Sequence, residues 1–379
     1  MDQVEYTNLA EAFAAVPDPR DARGKRSPWS LLLVLISAAL VSGQPHGLAI
    51  SQWVREHRET LCRAIGWSRA HWPSEATLRR VVRAVDVDAL ECSLRQVALQ
   101  ATAATGALVG QSIDGKTVRG ALAHDQWVHL VGLVRHDGAV LAQVAVADKA
   151  NEIAAAPLLV AGRDLTGMVM TMDALLTHRT FAAQIRQQGG HDLMVAKENQ
   201  PELAAAIATL FDDPPWLSDE REREYAVAQT VEKGHGRLET RTLEASPSLN
   251  DWLELPDVGQ VLRRTWRRVN QRTGLVEESV MLGLTSVPFD ARCVEQIEGY
   301  WRGHWGIENR VHDVRDETLR DDRGQAHAGA TANALAVLRN GILTQLRRHG
   351  WTNIADALRH DNAAPRRALA LIGVTMTGL

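Results

Sequence analysis

Cysteine is scarce in this chain: 379 residues hold three, Cys62, Cys92 and Cys293. Their odd number, wide spacing and lack of a Cys-x-x-Cys pair exclude a disulfide framework and a zinc knuckle, and fit a reducing cytoplasm. Long apolar runs are missing too. The longest, Trp29 to Val41, has 13 residues, short of the roughly 20 that a membrane span needs. It follows the charged segment Asp18-Pro-Arg-Asp-Ala-Arg-Gly-Lys-Arg, a superficial likeness to a signal peptide. No small-residue cleavage site follows, however, and the first residues carry Asp2, Glu5 and Glu11 in place of basic groups. The run reads as a buried helix, with no membrane as partner. Excess positive charge is also lacking. At a formal net charge of -4, any contact with nucleic acid must rest on local patches. No internal repeat or low-complexity tract appears.

What the chain does have is enough apolar residue, 45%, to bury cores in two or three domains. Residues 1–104 read as all-helical, with helices at Asn8–Ala15, Trp29–Val41, Leu48–His57, Ser74–Val85 and Val87–Ala103. Ser74 caps a helix bearing Arg79, Arg80 and Arg83. Two readings of it stand: the recognition helix of a helix-turn-helix, or the solvated face of a small bundle. From about Leu108 the periodicity becomes that of strands. Ala107–Ile113, Trp127–Arg135 and Val140–Val146 are three strand candidates, the last two joined by the hairpin turn His136-Asp137-Gly138. Helix Asn151–Ala161, strand Gly167–Met172, helix Thr177–Gln188, strand Asp192–Ala196 and helix Gln200–Phe211 follow. Three strands and then αβαβα is the order of an α/β, ribonuclease-H-like mixed sheet flanked by helices. Four more strand candidates, Tyr225–Val231, Leu238–Leu243, Gly259–Val269 and Glu278–Leu284, predict a β-rich insertion over about 214–285. Helices at Ala291–Trp305, Ile307–Thr318 and Gly329–His349 and two short ones then fill a helical part, 290–379, of a catalytic domain spanning 105–379.

Two aspartates stand at the ends of apolar strands: Asp114 after Ala107–Ile113, and Asp173 after Gly167–Met172. Neighbouring strands hold such carboxylates rigidly side by side. Hard oxygen donors suit Mg²⁺, and paired ions suit phosphodiester chemistry, one activating the attacking water or 3′-hydroxyl and the other stabilising the leaving oxygen. A third ligand must come from elsewhere. The candidate is Glu308 in Tyr300-Trp-Arg-Gly-His-Trp-Gly-Ile-Glu-Asn-Arg-Val-His, where Arg302, Trp305, Glu308 and His312 recur at helical spacing. A plainer reading makes Trp301, Trp305 and Ile307 core, with Glu308 in a surface ion pair to Arg302 or Arg310. Asp313, Asp316 and Glu317 compete as ligands. His304 and His312 have no partners spaced for zinc.

The motifs Ile113-Asp-Gly-Lys-Thr-Val-Arg-Gly, His129-Leu-Val, Asp148-Lys-Ala-Asn-Glu-Ile, Met172-Asp-Ala-Leu-Leu-Thr-His, Ala196-Lys-Glu-Asn-Gln-Pro, His235-Gly-Arg-Leu-Glu-Thr-Arg and His304-Trp-Gly-Ile-Glu-Asn occur in this order. Together they resemble the ISAs-type, or H-repeat-associated, insertion-sequence transposases of the DDE superfamily. Pro17-Asp-Pro-Arg-Asp-Ala-Arg-Gly-Lys-Arg and Thr77-Leu-Arg-Arg resemble the helical, DNA-binding or associated domain that precedes the catalytic domain there. The resemblance implies a metal-dependent transposase with Asp114, Asp173 and Glu308 as catalytic triad and ligands of two Mg²⁺ or Mn²⁺ ions. Such an enzyme cleaves transposon ends and joins their 3′-hydroxyls to target DNA. Its partners would be double-stranded DNA, as inverted repeats and target, and a second copy of the chain. One departure is Glu198, where the family usually has glycine after the lysine of Lys-Gly-Asn-Gln-Pro. A domesticated endonuclease and a silent end-binding repressor are the rival functions.

Chemistry suggests DNA contacts around these positions. Lys116 and Arg119 follow Asp114, and Lys149 precedes a strand-helix unit. Glu152 there is an auxiliary acid or simply a helix-start glutamate. Lys197, Asn199 and Gln200 follow another strand end, while Arg302 and Asn309 flank Glu308. His235, Arg237, Glu239 and Arg241 alternate along one strand and share a face that reads as mostly positive. Arg263-Arg-Thr-Trp-Arg-Arg-Val-Asn-Gln-Arg adds five arginines without an acid, Arg263 and Arg267 among them, around Trp266. That pattern fits a DNA strand or an unpaired base on the ring, or else a strand with Trp266 buried and its arginines solvated.

Overall fold

The computed structural model describes residues 6–68, 71–99, 108–123, 126–146, 151–197, 200–213, 224–234, 236–253, 255–321 and 331–375. Two compact units form: Met1–Thr105 with Gly115–Glu152 and Gly306–Leu379, and Gly106–Asp114 with Ile153–Trp305. Strand β1 (Val109–Ala123) contributes to both.

The first unit begins with α1 (Leu9–Ala15), α2 (Trp29–Val41), α3 (Gly47–Glu56), α4 (Arg58–Ala64), α5 (Glu75–Ala84) and α6 (Val87–Leu99). Apolar residues surround α2 on all sides, so it is buried along almost its full length and forms the centre of the core. By contrast α5 is amphipathic. Its Leu78, Val81 and Val82 are buried, which turns Arg79, Arg80 and Arg83 outward. The Ser74 side chain caps it, accepting from Thr77 N at 3.3 Å. Strands β2 (Gln126–Arg135) and β3 (Val140–Val146) pair antiparallel through the expected hairpin, with Gly138 at φ +95°. The helix expected at Gly329–His349 shares the core of the N-terminal ones: Leu335, Leu338, Ile342 and Leu346 pack in one cluster with Phe13, Leu33 and Ile36.

In the second unit the strands hydrogen-bond in the order β1, β4 (Met168–Met172), β5 (His191–Ala196), β9 (Val276–Thr285), β8 (Gln260–Asn270), β7 (Arg237–Ser246) and β6 (Ala226–Gly234). The pairs β1–β4 and β4–β5 are parallel, whereas β5–β9 and all pairs beyond it are antiparallel. The β-rich stretch therefore does not form a separate sheet; β9 continues the sheet from β5. Both β4 and β5 are buried after their first residue, as parallel strands covered on two faces should be. Helix α8 (Arg179–Gln187) packs on β5, α9 (Pro201–Asp212) on β5, β8 and β9, and α10 (Val294–His304) on β4, β6 and β7. Helix α7 (Glu152–Val160) precedes β4, and α11 (Thr331–Arg348), α12 (Ile354–Asn362) and α13 (Pro365–Ile372) close the first unit. No helix among the described residues is long and apolar enough to cross a membrane.

Candidate active site

Register brings Asp114 and Asp173 together. Ile113 on β1 pairs with Met172 on parallel β4, and the next residue of each is an aspartate. Neighbouring strands run about 4.8 Å apart, so the two stand side by side where β4 ends. Only Asp173 follows a strand end, however; Asp114, expected at one, lies within β1, which continues to Ala123. Asp173 then caps a single 3₁₀ turn, Ala174–Leu176, its Oδ1 accepting from Leu175 N at 3.0 Å. It forms no ion pair among the described residues. Adjacent carboxylates repel, and a hard cation is the usual remedy. Below them lies His304, the last residue of α10, buried with Nδ1 3.2 Å from Thr171 Oγ1. Burial holds the His304 pKa below its ordinary value, while the Asp173 carboxylate pulls it up and the Lys197 ammonium pushes it further down. Lys197, exposed just past the end of β5, is thus within electrostatic reach of the same spot. His304 escaped the sequence reading, which weighed it only as a zinc ligand.

The first unit supplies the residues that follow Asp114. Gly115 has no room for a side chain: a Cβ there would overlap the Glu152 carboxylate and lie 2.7 Å from His129 Nε2. Those two groups are buried and joined by a 2.6 Å hydrogen bond, and His129 Nδ1 is 2.8 Å from Thr117 Oγ1. Glu152 is therefore a partner for His129 as well as the first residue of α7. Lys116 is buried and ion-paired with Asp316, which removes Asp316 as an uncommitted acid.

Glu308 lies in a stretch where a regular helix, Ile307–Thr318, was expected. Two π-helical turns, Glu308–His312 and Val314–Thr318, are found instead. Its carboxylate is about half exposed and meets His312 Nδ1 at 3.0 Å; this bond, with the nearby Lys116 charge, holds its pKa below the ordinary range. The ion pair expected on the plainer reading is absent. Arg302 instead binds Glu232 at 2.5 and 3.0 Å, and Arg310 donates to His136 O at 2.5 Å. Of that reading's core residues, Trp301 and Ile307 are buried, whereas Trp305 is 51% exposed.

The basic face expected around Trp266 is balanced by acids on neighbouring elements. In the strand register Arg263 faces Glu244, Arg267 faces Glu278, and Arg268 faces Glu239 and Glu277. Arg263 binds Glu244 at 2.6 Å and Asp212 at 2.8 Å, and Arg264 binds Glu298 through two 2.8 Å bonds. Arg241 is buried between Glu232 and Glu239. Arg267 is more loosely held, 3.9 Å from Glu278. Arg268 covers the Trp266 ring at 4.5 Å, and the indole N–H reaches Glu239 at 3.5 Å. Gln200 donates its amide to Thr177 O. Arg237 is exposed, as is Asn309, which lines a cavity of about 600 Å³. Lys149, Asn199, His235 and the Arg119 side chain, like the departure at Glu198, lie outside the described residues.

Comparison with known proteins adds an independent observation. Residues 10–98, which span α1 to α6, match the family described as DDE_Tnp_1-associated. "Putative transposase YncI" of Escherichia coli O157:H7 is 26% identical over 352 residues, covering 90% of this chain and 87% of that protein. The "H repeat-associated putative transposase YhhI" of Escherichia coli K12 is 24% identical over 348 residues, 89% of each chain. An "Uncharacterized protein in dhlA 3'region" of Xanthobacter autotrophicus is 30% identical over 258 residues, 65% of this chain and 82% of that protein. The chain belongs to the ISAs-type, H-repeat-associated transposase family. Within this family member, the paired aspartates and the acid-balanced arginines lie on opposite sides of β5 along one run of strands.

Proposed function

We propose that the protein is an insertion-sequence DNA transposase that cleaves transposon ends and transfers their 3′-hydroxyls to target DNA, with Asp114, Asp173 and Glu308 as its catalytic carboxylates. The observation that carries this reading is the register of β1 and β4, which sets Asp114 beside Asp173 at the carboxyl end of β4. The strand order β3, β2, β1, β4, β5 supports a ribonuclease-H-like catalytic core. The donor set is hard oxygen throughout and suits two Mg²⁺ or Mn²⁺ ions. When bound, these ions would supply charge neutralisation of the scissile phosphate and a lower pKa for the attacking hydroxyl.

The chain's own residues have definable tasks. Asp114 and Asp173 present adjacent negative charge from rigid strands. Glu308 stays ionised because His312 holds its carboxylate. Gly115, pressed against the His129–Glu152 pair, fixes the backbone one residue after Asp114. Lys197 offers an exposed ammonium to phosphate, and Asn309 is exposed as well, with Arg119, Lys149 and Asn199 as further candidate contacts from the sequence; Lys116, Gln200 and Arg302, committed to Asp316, Thr177 O and Glu232, are not free for that task. Two copies acting in the cytoplasm would bring the two transposon ends together.

A supercoiled plasmid carrying the element's inverted repeats tests the reading. Wild-type protein with Mg²⁺ should cut at the repeats, and Asp114→Asn should lose at least about 10³-fold in cleavage rate while still binding the ends. Cleavage without strand transfer would identify a domesticated endonuclease. Binding without cleavage under Mg²⁺ or Mn²⁺ would identify a silent end-binding protein and overturn the catalytic assignment.

A further inference from the structure

The first unit holds a second basic feature, a cavity of about 840 Å³ between the 20–29 segment and the 71–84 segment. Arg20, Arg23, Arg26, His71, Arg80 and Arg83 line it, with Trp29 and Trp72 in its walls, and no Asp or Glu is among its lining residues. Arg20 is a wall element: Asp18 binds it at 2.9 Å, and its guanidinium lies 5.2 Å from the Trp29 ring centroid. Arg23, Arg80 and Arg83 form no ion pair among the described residues, and all three are exposed. Arg80 and Arg83 stand three residues apart on the outward face of α5, so both reach the same side. Arg80 is oriented by a 2.9 Å bond from Nε to Ala76 O, which leaves its terminal nitrogens for a ligand. Trp29 is only 5% exposed, yet its indole Nε1 is buried with no hydrogen-bond partner. An unspent buried donor in a wall bearing unpaired guanidinium groups marks a place that accepts an oxyanion.

We propose that this cavity seats backbone phosphates of duplex DNA, as a contact separate from the carboxylate site. Guanidinium groups bind phosphate oxygens in pairs, and here they form a local positive field on a chain of net charge -4. The aromatic walls do not read bases. Trp29 is buried, and Trp72 is partly buried, spends its N–H on Val54 O at 3.3 Å, and meets Trp67 edge-on at 6.1 Å. With Trp29 buried and Trp72 partly so, the groove favours the sugar-phosphate backbone of a duplex. The identity of the polyanion rests on the transposase reading; the anion chemistry does not.

The test is fluorescence anisotropy of the full-length protein with a labelled duplex of random sequence, titrated over a range of salt concentrations. Arg23→Gln, Arg80→Gln and Arg83→Gln combined should weaken binding at least tenfold at about 0.1 M salt and lower the slope of log K against log salt by about 2.7, near 0.9 per phosphate contact. The same three positions as Lys should recover most of that slope. A charge-matched control, Arg292→Gln with Arg359→Gln and Arg366→Gln, should bind like wild type, and thermal melts confirm that each variant is folded. Unchanged affinity and slope in the groove variant, with wild type binding normally, overturns the groove and leaves the catalytic reading intact. If wild type binds no duplex at all, both fall. Tighter, groove-dependent binding of a single strand of equal length overturns the duplex assignment.

Discussion

The arginines of the sheet and those of α5 look alike in the sequence and differ in their surroundings. Along β8 the arginines face glutamates on β7 and β9, and Arg264 reaches Glu298 on α10. In α5 the helix buries its apolar side and turns Arg80 and Arg83 into a cavity with no acid among its described lining residues. A strand places each side chain opposite one on the next strand, so complementary charge arises wherever the partner sequence supplies it. An exposed helix face has no such neighbour. A run of arginines is therefore a poor guide to the field that DNA would meet, and the pairing of each guanidinium is the better one.

The largest effect expected from this contrast is on stability. Arg264 and Glu298 are both nearly fully buried and joined by two bonds. Arg264→Met strands a buried carboxylate and should cost about 3–5 kcal/mol in urea unfolding, whereas Arg264→Met with Glu298→Leu should recover most of it. At a temperature where the single variant remains folded, its DNA affinity should match wild type. A single variant as stable as wild type, or one that stays folded but loses DNA, would break the division between structural and available arginines.

The sheet also buries an acid that forms no ion pair among the described residues, with only the Arg186 charge acting on it from further off. Asp192 at the start of β5 is buried, its Oδ2 lacks a hydrogen-bond partner, and burial pushes its carboxyl up to about 6. A raised carboxyl binds its proton more tightly in the native chain than in the unfolded one. Its stabilising contribution is therefore complete below about pH 4 and is lost as pH rises through 6. Asp192→Asn should raise stability by about 3 kcal/mol at pH 8 and change little at pH 3.5. Equal gains at both pH values would show that packing, rather than ionisation, sets the cost.

The difference between these regions also explains what could be read from residues alone. Helix α2 and strand β3 have the limits expected, Trp29–Val41 and Val140–Val146, because a continuous apolar run and a Gly138 turn are local signals. Strand β1 runs to Ala123, well past Ile113, an extension hidden in the sequence because Asp114-Gly-Lys-Thr-Val-Arg-Gly mixes charge and glycine and breaks the apolar run. Helix α4, Arg58–Ala64, was not anticipated; it follows α3 with no Gly or Pro to mark the break. The π-helical turns at Glu308 have no signature in residue type. In the candidate site, the strand-end position of Asp173 was legible, whereas Asp114 lies inside β1 instead of at its end, and Glu308 owed its selection to family resemblance rather than spacing. The neutralised arginines were not legible, since their partners lie 51 residues away for Arg263 with Asp212 and 34 for Arg264 with Glu298.

Arg267 gives the finest test, because it belongs to β8 and yet is the least firmly paired of that strand's arginines among the described residues. It is about half exposed, and its nearest carboxylate, Glu278, is 3.9 Å away and equally exposed. Such a pair is worth under about 0.5 kcal/mol, so Arg267→Ala should leave the melting temperature nearly unchanged. Its guanidinium is nonetheless partly released to solvent and can follow a phosphate. If pairing decides availability, DNA affinity should fall about twofold, with a salt slope lower by less than 1, well short of the loss in the α5 groove. A loss as large as that of the groove variant would mean that opposed glutamates give way to DNA, and that cross-strand pairing does not withdraw an arginine from binding.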